Sequence, residues 1–465
     1  MGRDDTEPNA TAPPDSATSA GAATHGSGGS TPAVVAARSG DETPDTAEIR
    51  TLADAAGYAV VGEVTQRRRE DPTYGLGRGA AEDLMRLVAE TDAAAVLYDG
   101  SLSPGQTFSL GDLLPTGTAV IDRPRLALSL FSAAADSGVA DRQLELARLR
   151  YELPRIEEAA ARDSNERVSL RPEGDPRVRD IERRIEAAER ALDRITADRA
   201  KRRSERRSAG LDIVALAGYT NAGKSTLASR LADDGDDGRG DNDTAEPSAD
   251  GARPFETLST TTRRATLDGR QAVVTDTVGF LDGLPHDAIR SFRATLDAVR
   301  RADCALLAVD ASDDADAIRR KVRTSLSAIE ATDGPVLPVF TKADRVEADA
   351  LAAAMDTYRS VVAELDRQET PVAAALRSPV AVSARDGTGL AGLRSAVADA
   401  LPTATAAVTV SNGGETQAAL SWAYDRGVVA SVEYAGETVA IELGGRPAVV
   451  AEGRRRLARA DGRSP

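Results

Sequence analysis

Gly218-Tyr219-Thr220-Asn221-Ala222-Gly223-Lys224-Ser225-Thr226 decides how the rest of the chain is read. It follows the apolar run Leu211–Ala217 and opens an amphipathic segment, Leu227–Leu231. Strand, glycine loop, helix is the setting in which GxxxxGK[ST] acts as a phosphate cradle. Gly218 and Gly223 tolerate positive φ, so the loop amides can converge on an anion, and the helix that begins there adds the positive end of its dipole. Lys224 supplies a point charge for the β and γ phosphates, and the Ser225 hydroxyl is placed to ligate Mg²⁺. An incidental glycine turn is the weaker reading, because every fixed position and both flanks agree.

At 465 residues the chain has room for about three domains. The single cysteine, Cys304, excludes a disulfide framework. No apolar stretch reaches spanning length and the start lacks a signal-peptide pattern, so a cytoplasmic protein without an integral membrane segment is expected, read here as a monomer. The net charge is −16, and lysine occurs only at Lys201, Lys224, Lys321 and Lys342. This acidic, lysine-poor composition resembles that of proteins from salt-accumulating cells. Against such avoidance, two of the four lysines fall in nucleotide motifs, which favours a chemical role for them. Global acidity argues against a general nucleic-acid coat, so an RNA partner would need a local patch.

Residues 1–31 are small, polar and proline-rich and read as a disordered tail. From 32 to 123, strands at Ala33–Ala37, Tyr58–Val64, Ala93–Tyr98 and Gly117–Ile121 alternate with helices at Thr46–Ala56, Ala80–Glu90 and Ser103–Leu114. Alternation of this kind predicts a parallel, helix-covered sheet. Gly75-Leu76-Gly77-Arg78-Gly79 lacks the Lys-Ser ending of a phosphate loop and reads as a turn. Residues 124–208 turn helical: Leu126–Ala135, Arg142–Glu152 ending at Leu153-Pro154-Arg155, and Arg177–Arg207. The stripe Ile181, Ile185, Ala188, Leu192, Ile195 is expected to pack on a neighbouring helix. The arginine-rich end, Arg199–Arg207, is either a solvated face or a patch for an anionic polymer.

The segment 209–402 holds the nucleotide motifs. Residues 233–252, acidic and rich in Gly and Ser, read as a disordered surface insertion. Strands at Arg264–Leu267 and Gln271–Thr275 flank the hairpin signal Asp268-Gly269. Asp276-Thr277-Val278-Gly279 then sits at a strand end, where Asp276 can reach the Mg²⁺ shell and the Gly279 amide can face the γ phosphate. The apolar strands Ala305–Val309 and Val336–Phe340 lead to Thr341-Lys342-Ala343-Asp344. The Asp344 carboxylate can accept from guanine's ring N–H and amino group while the Lys342 stem covers the base. After Val380–Val382, the amides of Ser383-Ala384-Arg385 can meet the guanine carbonyl, so GTP is preferred over ATP. Between insertion and DxxG, Phe255-Glu256-Thr257-Leu258-Ser259-Thr260-Thr261-Thr262 offers four threonines for a switch that reaches Mg²⁺ and the γ phosphate. Phe280 follows Gly279 where a glutamine would orient the attacking water; slow intrinsic hydrolysis follows.

The phosphate loop, Phe255-x-Thr257-Leu258 and Asp276-Thr277-Val278-Gly279-Phe280 form one set. Together with Leu284-Pro285-His286-Asp287 and Phe292-x-Ala294-Thr295-Leu296 they resemble the HflX family of translation-associated GTPases. Ile121-Asp122-Arg123, Gln143-Leu144-Glu145-Leu146-Ala147, Tyr151 and Pro154-Arg155 are similar to the family's N-terminal half. The resemblance covers about residues 32–400 and implies a P-loop GTPase domain of α/β fold, with a mostly parallel sheet and helices on both faces. That domain would follow an N-terminal α/β domain with a helical arm. It also implies action on the large ribosomal subunit, both rRNA and protein, including stalled or dormant ribosomes, with Mg²⁺ as cofactor. Lys224, Thr257 and Gly279 would then be catalytic, with Thr257 joining Ser225 at the metal; Thr262 is second choice for the switch. Three departures stand out: Thr341 in place of the family's Asn, a Val168–Asp175 stretch that keeps only Pro172-Glu173-Gly174, and the insertion.

Residues 405–460 suggest a small α+β domain, with Ala418–Tyr424, Gly427–Tyr434 and Glu437–Leu443 followed by helical Pro447–Ala460. Trp422, flanked directly by Ser421 and Ala423, reads as core rather than as a stacking platform. A reading from another class is a GTP-dependent binding module or assembly switch with little turnover.

Overall fold

The computed structural model describes residues 30–40, 43–133, 138–166, 175–233, 261–277, 279–280 and 293–461. Phe255 to Ser259, Val278, Pro172-Glu173-Gly174, positions 284–292, the tail to residue 29 and most of the expected insertion lie outside these residues.

One compact unit comprises residues up to 99 together with 106–121. Strands β1 (Thr31–Ser39), β2 (Tyr58–Arg67), β3 (Ala95–Asp99) and β4 (Ala119–Asp122) alternate with helices α1 (Ala47–Ala55), α2 (Arg78–Thr91) and α3 (Pro104–Leu113). The sheet order is β2-β1-β3-β4, with β1 parallel to both neighbours. Ala33 to Ala37 are buried along the whole centre of β1, as a strand covered on both faces must be. The run Gly75–Gly79 is not the plain turn expected: Gly75, at φ 75°, and Leu76 bridge back to Asp71 and Tyr74, Gly77 caps α2 with its amide donating to Gln66 Oε1 at 2.8 Å, and Arg78 and Gly79 already belong to that helix.

The other unit holds everything from 122 onward, together with 100–105. Helices α4 (Arg123–Ala133), α5 (Gly138–Glu166) and α6 (Pro176–Ser208) open it. Asp175 caps α6 by accepting from the Arg177 amide, and Pro176 occupies the first turn, where its missing N–H costs nothing. Leu146 of α5 packs with Ala188 and Leu192 of α6, flanked by Ile185 and Ile195, so the expected stripe is the hairpin interface.

One expectation fails here: α5 does not end at Leu153-Pro154-Arg155 but runs on to Glu166. Proline removes a helix bond, yet tertiary bonds carry the chain across it. The Asp122 carboxylate, almost fully buried, accepts from Tyr151 Oη at 2.7 Å, Arg155 Nη2 at 3.1 Å and the Leu102 and Arg125 amides at 3.1 and 3.0 Å. Arg155 also donates Nη1 to the Tyr151 carbonyl at 2.9 Å and lies 3.5 Å from the Tyr151 ring centre.

Next comes a six-stranded sheet, β10-β9-β8-β5-β7-β6, built from β5 (Asp212–Gly218), β6 (Thr262–Leu267), β7 (Arg270–Thr275), β8 (Cys304–Asp310), β9 (Val336–Thr341) and β10 (Val380–Ala381). Only β6 runs antiparallel, returned by Asp268 and Gly269 at φ 48° and 81°, the left-handed pair a tight hairpin requires. Helices α7 (Lys224–Leu231), α8 (Arg293–Arg300), α9 (Ala315–Ile329), α10 (Ala348–Arg367) and α11 (Leu390–Ala400) belong to this body. The period-two alternation of β5 sends Ile213 and Ala215 into one apolar cluster with α9 and α10, and Val214 and Leu216 into another with α7 and α11. Asp233 was expected to begin the insertion, but its carboxylate accepts from the Thr266 amide and hydroxyl, tying it to β6.

The chain closes with β11 (Ala404–Ser411), α12 (Gly414–Tyr424), β12 (Val429–Ala435), β13 (Thr438–Gly445) and α13 (Pro447–Ala460), an antiparallel sheet β11-β13-β12 under two helices. Its joint to the larger sheet is ionic. Arg446 grips Asp303 with both terminal nitrogens, at 2.6 and 3.0 Å, and reaches Asp212 at 3.0 Å. Arg270 bonds Asp212 at 2.5 Å and Thr403 Oγ1 at 2.8 Å, and Arg207 from the end of α6 bonds Asp303 at 2.9 Å. Burial outweighs the arginines at Asp212 and pushes its carboxyl above the usual range. At Asp303 burial acts the same way, but the Arg446 bond and the Ile213 amide prevail and hold it below.

Candidate nucleotide-binding site

The loop between β5 and α7 is shaped by its glycines. Gly218 has φ 142°, and a Cβ there would lie 2.5 Å from the Ala308 carbonyl oxygen; Gly223 has φ 77° and sits at the N-terminus of α7. Asn221 is left-handed as well, at φ 61°, which an Asn accepts better than most residues. Lys224 is buried, and its Nζ donates to the Tyr219 carbonyl at 2.7 Å. Burial lowers its pKa to about 8, with the Asp276 charge acting in the opposite sense.

Asp276, Thr277 and Gly279 stand at the end of β7 beside this loop. Asp276 is buried, and the Thr277 hydroxyl donates to the Leu216 carbonyl at 2.5 Å, pinning the segment to β5. A Cβ on Gly279 would lie 2.8 Å from Thr220 Cα and 2.9 Å from Lys224 Nζ, so only glycine allows this approach. Phe280 then pairs with the phosphate loop as a strand would: its amide donates to the Gly218 carbonyl at 3.0 Å, and its carbonyl accepts from the Thr220 amide at 2.8 Å. Its ring packs against the apolar cluster of α9 and α10.

Thr341, buried at the end of β9, has its hydroxyl 2.8 Å from the Ala222 carbonyl and 3.1 Å from that of Val309. The hydroxyl thus ties the phosphate loop to the strand that carries Lys342 and Asp344. Lys342 is left-handed at φ 56° and bonds Asp310 at 2.5 Å; the Asp344 side chain is exposed in the short turn Ala343–Arg345. Ser383 is buried and its amide is spent on the Thr388 carbonyl at 2.9 Å, which leaves Ala384 and Arg385 to offer theirs. The structure therefore brings together Gly218 to Ser225, Asp276, Thr277 and Gly279 at the C-terminal ends of the neighbouring interior strands β5 and β7. Thr341 to Asp344 and Ser383 to Arg385 lie on the neighbouring strand ends, where the Ala343 amide donates to the Val382 carbonyl.

Two contributors were not foreseen. Arg230, at the end of α7, donates to the Ala384 and Arg385 carbonyls at 2.6 and 2.7 Å and so fixes the Ser383 loop. Lys321 of α9 bonds Asp313 at 2.6 Å and lies 5.4 Å from the Tyr219 ring centre, which puts a third of the four lysines at this site. A basic residue at the end of one helix is a common sight, and nothing local in sequence marks its acceptors.

The donor chemistry fits Mg²⁺. Ser225 offers a hydroxyl at the start of α7 and Asp276 a buried carboxylate close enough to Lys224 to sustain its charge, both hard oxygen donors.

Residues 213–342 match the family described as 50S ribosome-binding GTPase, and residues 44–132 match the GTP-binding GTPase N-terminal family. The chain is similar to the GTPase HflX of Thermococcus kodakarensis, 36% identical over 73% of this chain and 74% of that one. It is also similar to the GTPase HflX of Thermofilum pendens, 36% identical over 64% of this chain and 69% of the other. Among solved structures, a GTP-binding protein from Sulfolobus solfataricus in complex with GDP matches with 20% identity and a TM-score of 0.39, covering 79% of this chain and 97% of that one.

Proposed function

This chain belongs to the HflX family of GTPases, and from that premise we propose that it is a Mg²⁺-dependent, cytoplasmic GTPase whose GTP state engages the large ribosomal subunit and whose hydrolysis releases it. Work on stalled or dormant ribosomes is the physiological setting this reading implies.

In this reading the loop amides around Gly223 at the start of α7 and the Lys224 ammonium hold the phosphates, the Thr220 amide being bonded to Phe280. Ser225, Asp276 and Thr257 would hold Mg²⁺, which would supply charge neutralisation for the phosphate oxygens. Asp344, the Lys342 stem and the amides of Ala384 and Arg385 select guanine, and Thr341 keeps the two halves of the pocket in register through Ala222. Gly279 lets its own segment approach the γ phosphate closely.

The observation that carries the proposal is Phe280. It stands beside the phosphate loop with both backbone groups bonded to Gly218 and Thr220, and its side chain has no polar atom to orient a water. A site so made binds GTP and turns it over slowly until a partner rearranges it. The test is GTP turnover with and without purified large subunits, alongside sedimentation with ribosomes in GTP, GDP and no nucleotide. Stimulation and GTP-dependent pelleting are expected; turnover indifferent to the subunit would overturn the proposal. The same Phe280 pairing favours one second reading, a GTP-dependent assembly switch with little turnover, and GTP-dependent pelleting without stimulation would select it.

A further inference from the structure

Trp422 is the only tryptophan of the chain, and it does not simply fill the core. Half-buried on α12, its ring has the Arg426 guanidinium 4.3 Å from its centre and that of Arg456, from α13, 4.6 Å away. Arg456 bonds Glu452 through Nε at 2.9 Å, and Arg455 bonds the same carboxylate through Nη2 at 2.7 Å. Arg454, Arg455, Arg456 and Arg459 are all exposed, against that one glutamate, within fourteen residues of a helix. They stand on a chain of net charge −16, whose surface should otherwise repel a polyanion.

We infer that this arginine comb on α13, with Arg426 beside it, is a binding surface for the phosphate backbone of RNA. Stacking on an indole fixes a guanidinium plane while leaving its N–H edges outward, so less rotamer freedom is lost when the fork meets a phosphate. Glu452 holds Arg456 and Arg455 by a single nitrogen each, and the remaining donors of both forks stay available for bidentate phosphate contacts. The spacing of 454, 455, 456 and 459 spreads these donors over more than one turn, suited to successive phosphates along a strand. Such contacts read charge and spacing, not base sequence. The surface is made wholly of α12, α13 and their connections and does not depend on the nucleotide site.

The test uses the full chain and a fluorescein-labelled 20-nucleotide RNA hairpin, with binding followed by anisotropy over a KCl series in which circular dichroism shows the protein folded. Replacing Arg454, Arg455, Arg456 and Arg459 together by Gln should weaken binding at least tenfold at the lowest salt. It should also flatten the slope of log K against log[KCl] by about three to four, from roughly 0.7–0.9 lost for each of four phosphate contacts. A control with Arg359→Gln and Arg367→Gln on α10 should bind as the wild type does. Trp422→Phe, which keeps an aromatic face, should bind better than Trp422→Leu. Equal binding by wild type and the fourfold variant would overturn the inference, as would no binding by the wild type. Competition by polyglutamate as effective as by unlabelled RNA would likewise overturn it, assigning the surface to an acidic protein.

Discussion

The Thr220 amide donates to the Phe280 carbonyl at 2.8 Å, and this one bond sets the resting state of the phosphate loop. An amide spent on Phe280 is not offered to an anion, and Gly279 packs so closely on the loop that a Cβ there would lie 2.9 Å from Lys224 Nζ. Phe280→Ala removes the ring that anchors this pairing in the apolar cluster. The ratio of GTP to GDP dissociation constants should fall about 3- to 10-fold, the worth of one hydrogen bond at roughly 0.5–1.5 kcal/mol. Fluorescent-nucleotide titration measures it, and an unchanged ratio would mean the pairing does not oppose nucleotide entry.

Lys224→Ala should reduce affinity for both GTP and GDP by roughly 10- to 100-fold, the range for a charge-assisted bond. Burial makes the Lys224 charge a burden that its bond to the Tyr219 carbonyl offsets, so losing both together should shift thermal unfolding without nucleotide little. Calorimetric titration giving wild-type affinity would show that this loop is not the site.

Thr341→Val keeps the shape of the side chain and removes the hydroxyl between Ala222 and Val309. Two buried carbonyls lose that partner, so a stability loss of about 1–3 kcal/mol is expected, with weaker GDP binding alongside. A melt and a GDP titration on one sample check both. A fall in stability with GDP affinity intact would confine Thr341 to the fold.

Arg230→Gln cuts the bonds to Ala384 and Arg385 at the far side of the base pocket. Discrimination of GDP over IDP and ADP should narrow severalfold while affinity for pyrophosphate stays as it was. Equal losses for all four ligands would instead mean that α7 itself had shifted.

Arg446→Leu takes one arginine from each of two buried carboxylates, leaving Asp212 to Arg270 and Asp303 to Arg207. Removing one partner of a buried pair costs about 3–5 kcal/mol, so a large drop in melting temperature is expected. Asp303 and Asp212 should respond unequally. The depressed Asp303 pKa means its stabilisation is present above the unfolded carboxylate value of 3.8 and lost as pH falls through the lower folded value. The raised pKa of Asp212 has the opposite sign: its charged form is a burden at neutral pH, relieved as pH falls through the folded value. At pH 7, Asp303→Asn should therefore lower the melting temperature more than Asp212→Asn, and the reverse order would overturn this account.

Much of the fold was legible because the strands are short apolar runs between strong turn signals. Ala33–Ala37, Ile213–Ala217 and Val336–Phe340 cannot be anything but covered strands, and the glycine spacing at 218 and 223 needs only local geometry. What failed was whatever depends on distant partners. Pro154 looks like a helix end until Asp122 is seen holding Arg155 across it. Ala404–Ser411 is a strand of small residues whose pairing with β13 supplies what its own pattern does not. Arg230 and Arg446 meet their acceptors 154 and 143 positions away, and Trp422 meets Arg456 only because two helices pack. The phosphate cradle was thus readable from the chain, while the supports that hold its neighbours in register were not.

The ionic joint at the foot of β5 also bears on how the protein can be divided. A chain stopped before residue 405 would retain every phosphate and guanine motif, yet Asp212 and Asp303 would lose Arg446, the guanidinium that bonds them both, and keep only Arg270 and Arg207 respectively. The seven-residue strand β5 begins at one of these carboxylates, Asp212, and ends at Gly218 in the phosphate loop. Trimming the last sixty or so residues would weaken the ion pairing at one end of the strand whose other end holds the nucleotide, so nucleotide affinities measured on such a fragment would describe a different molecule.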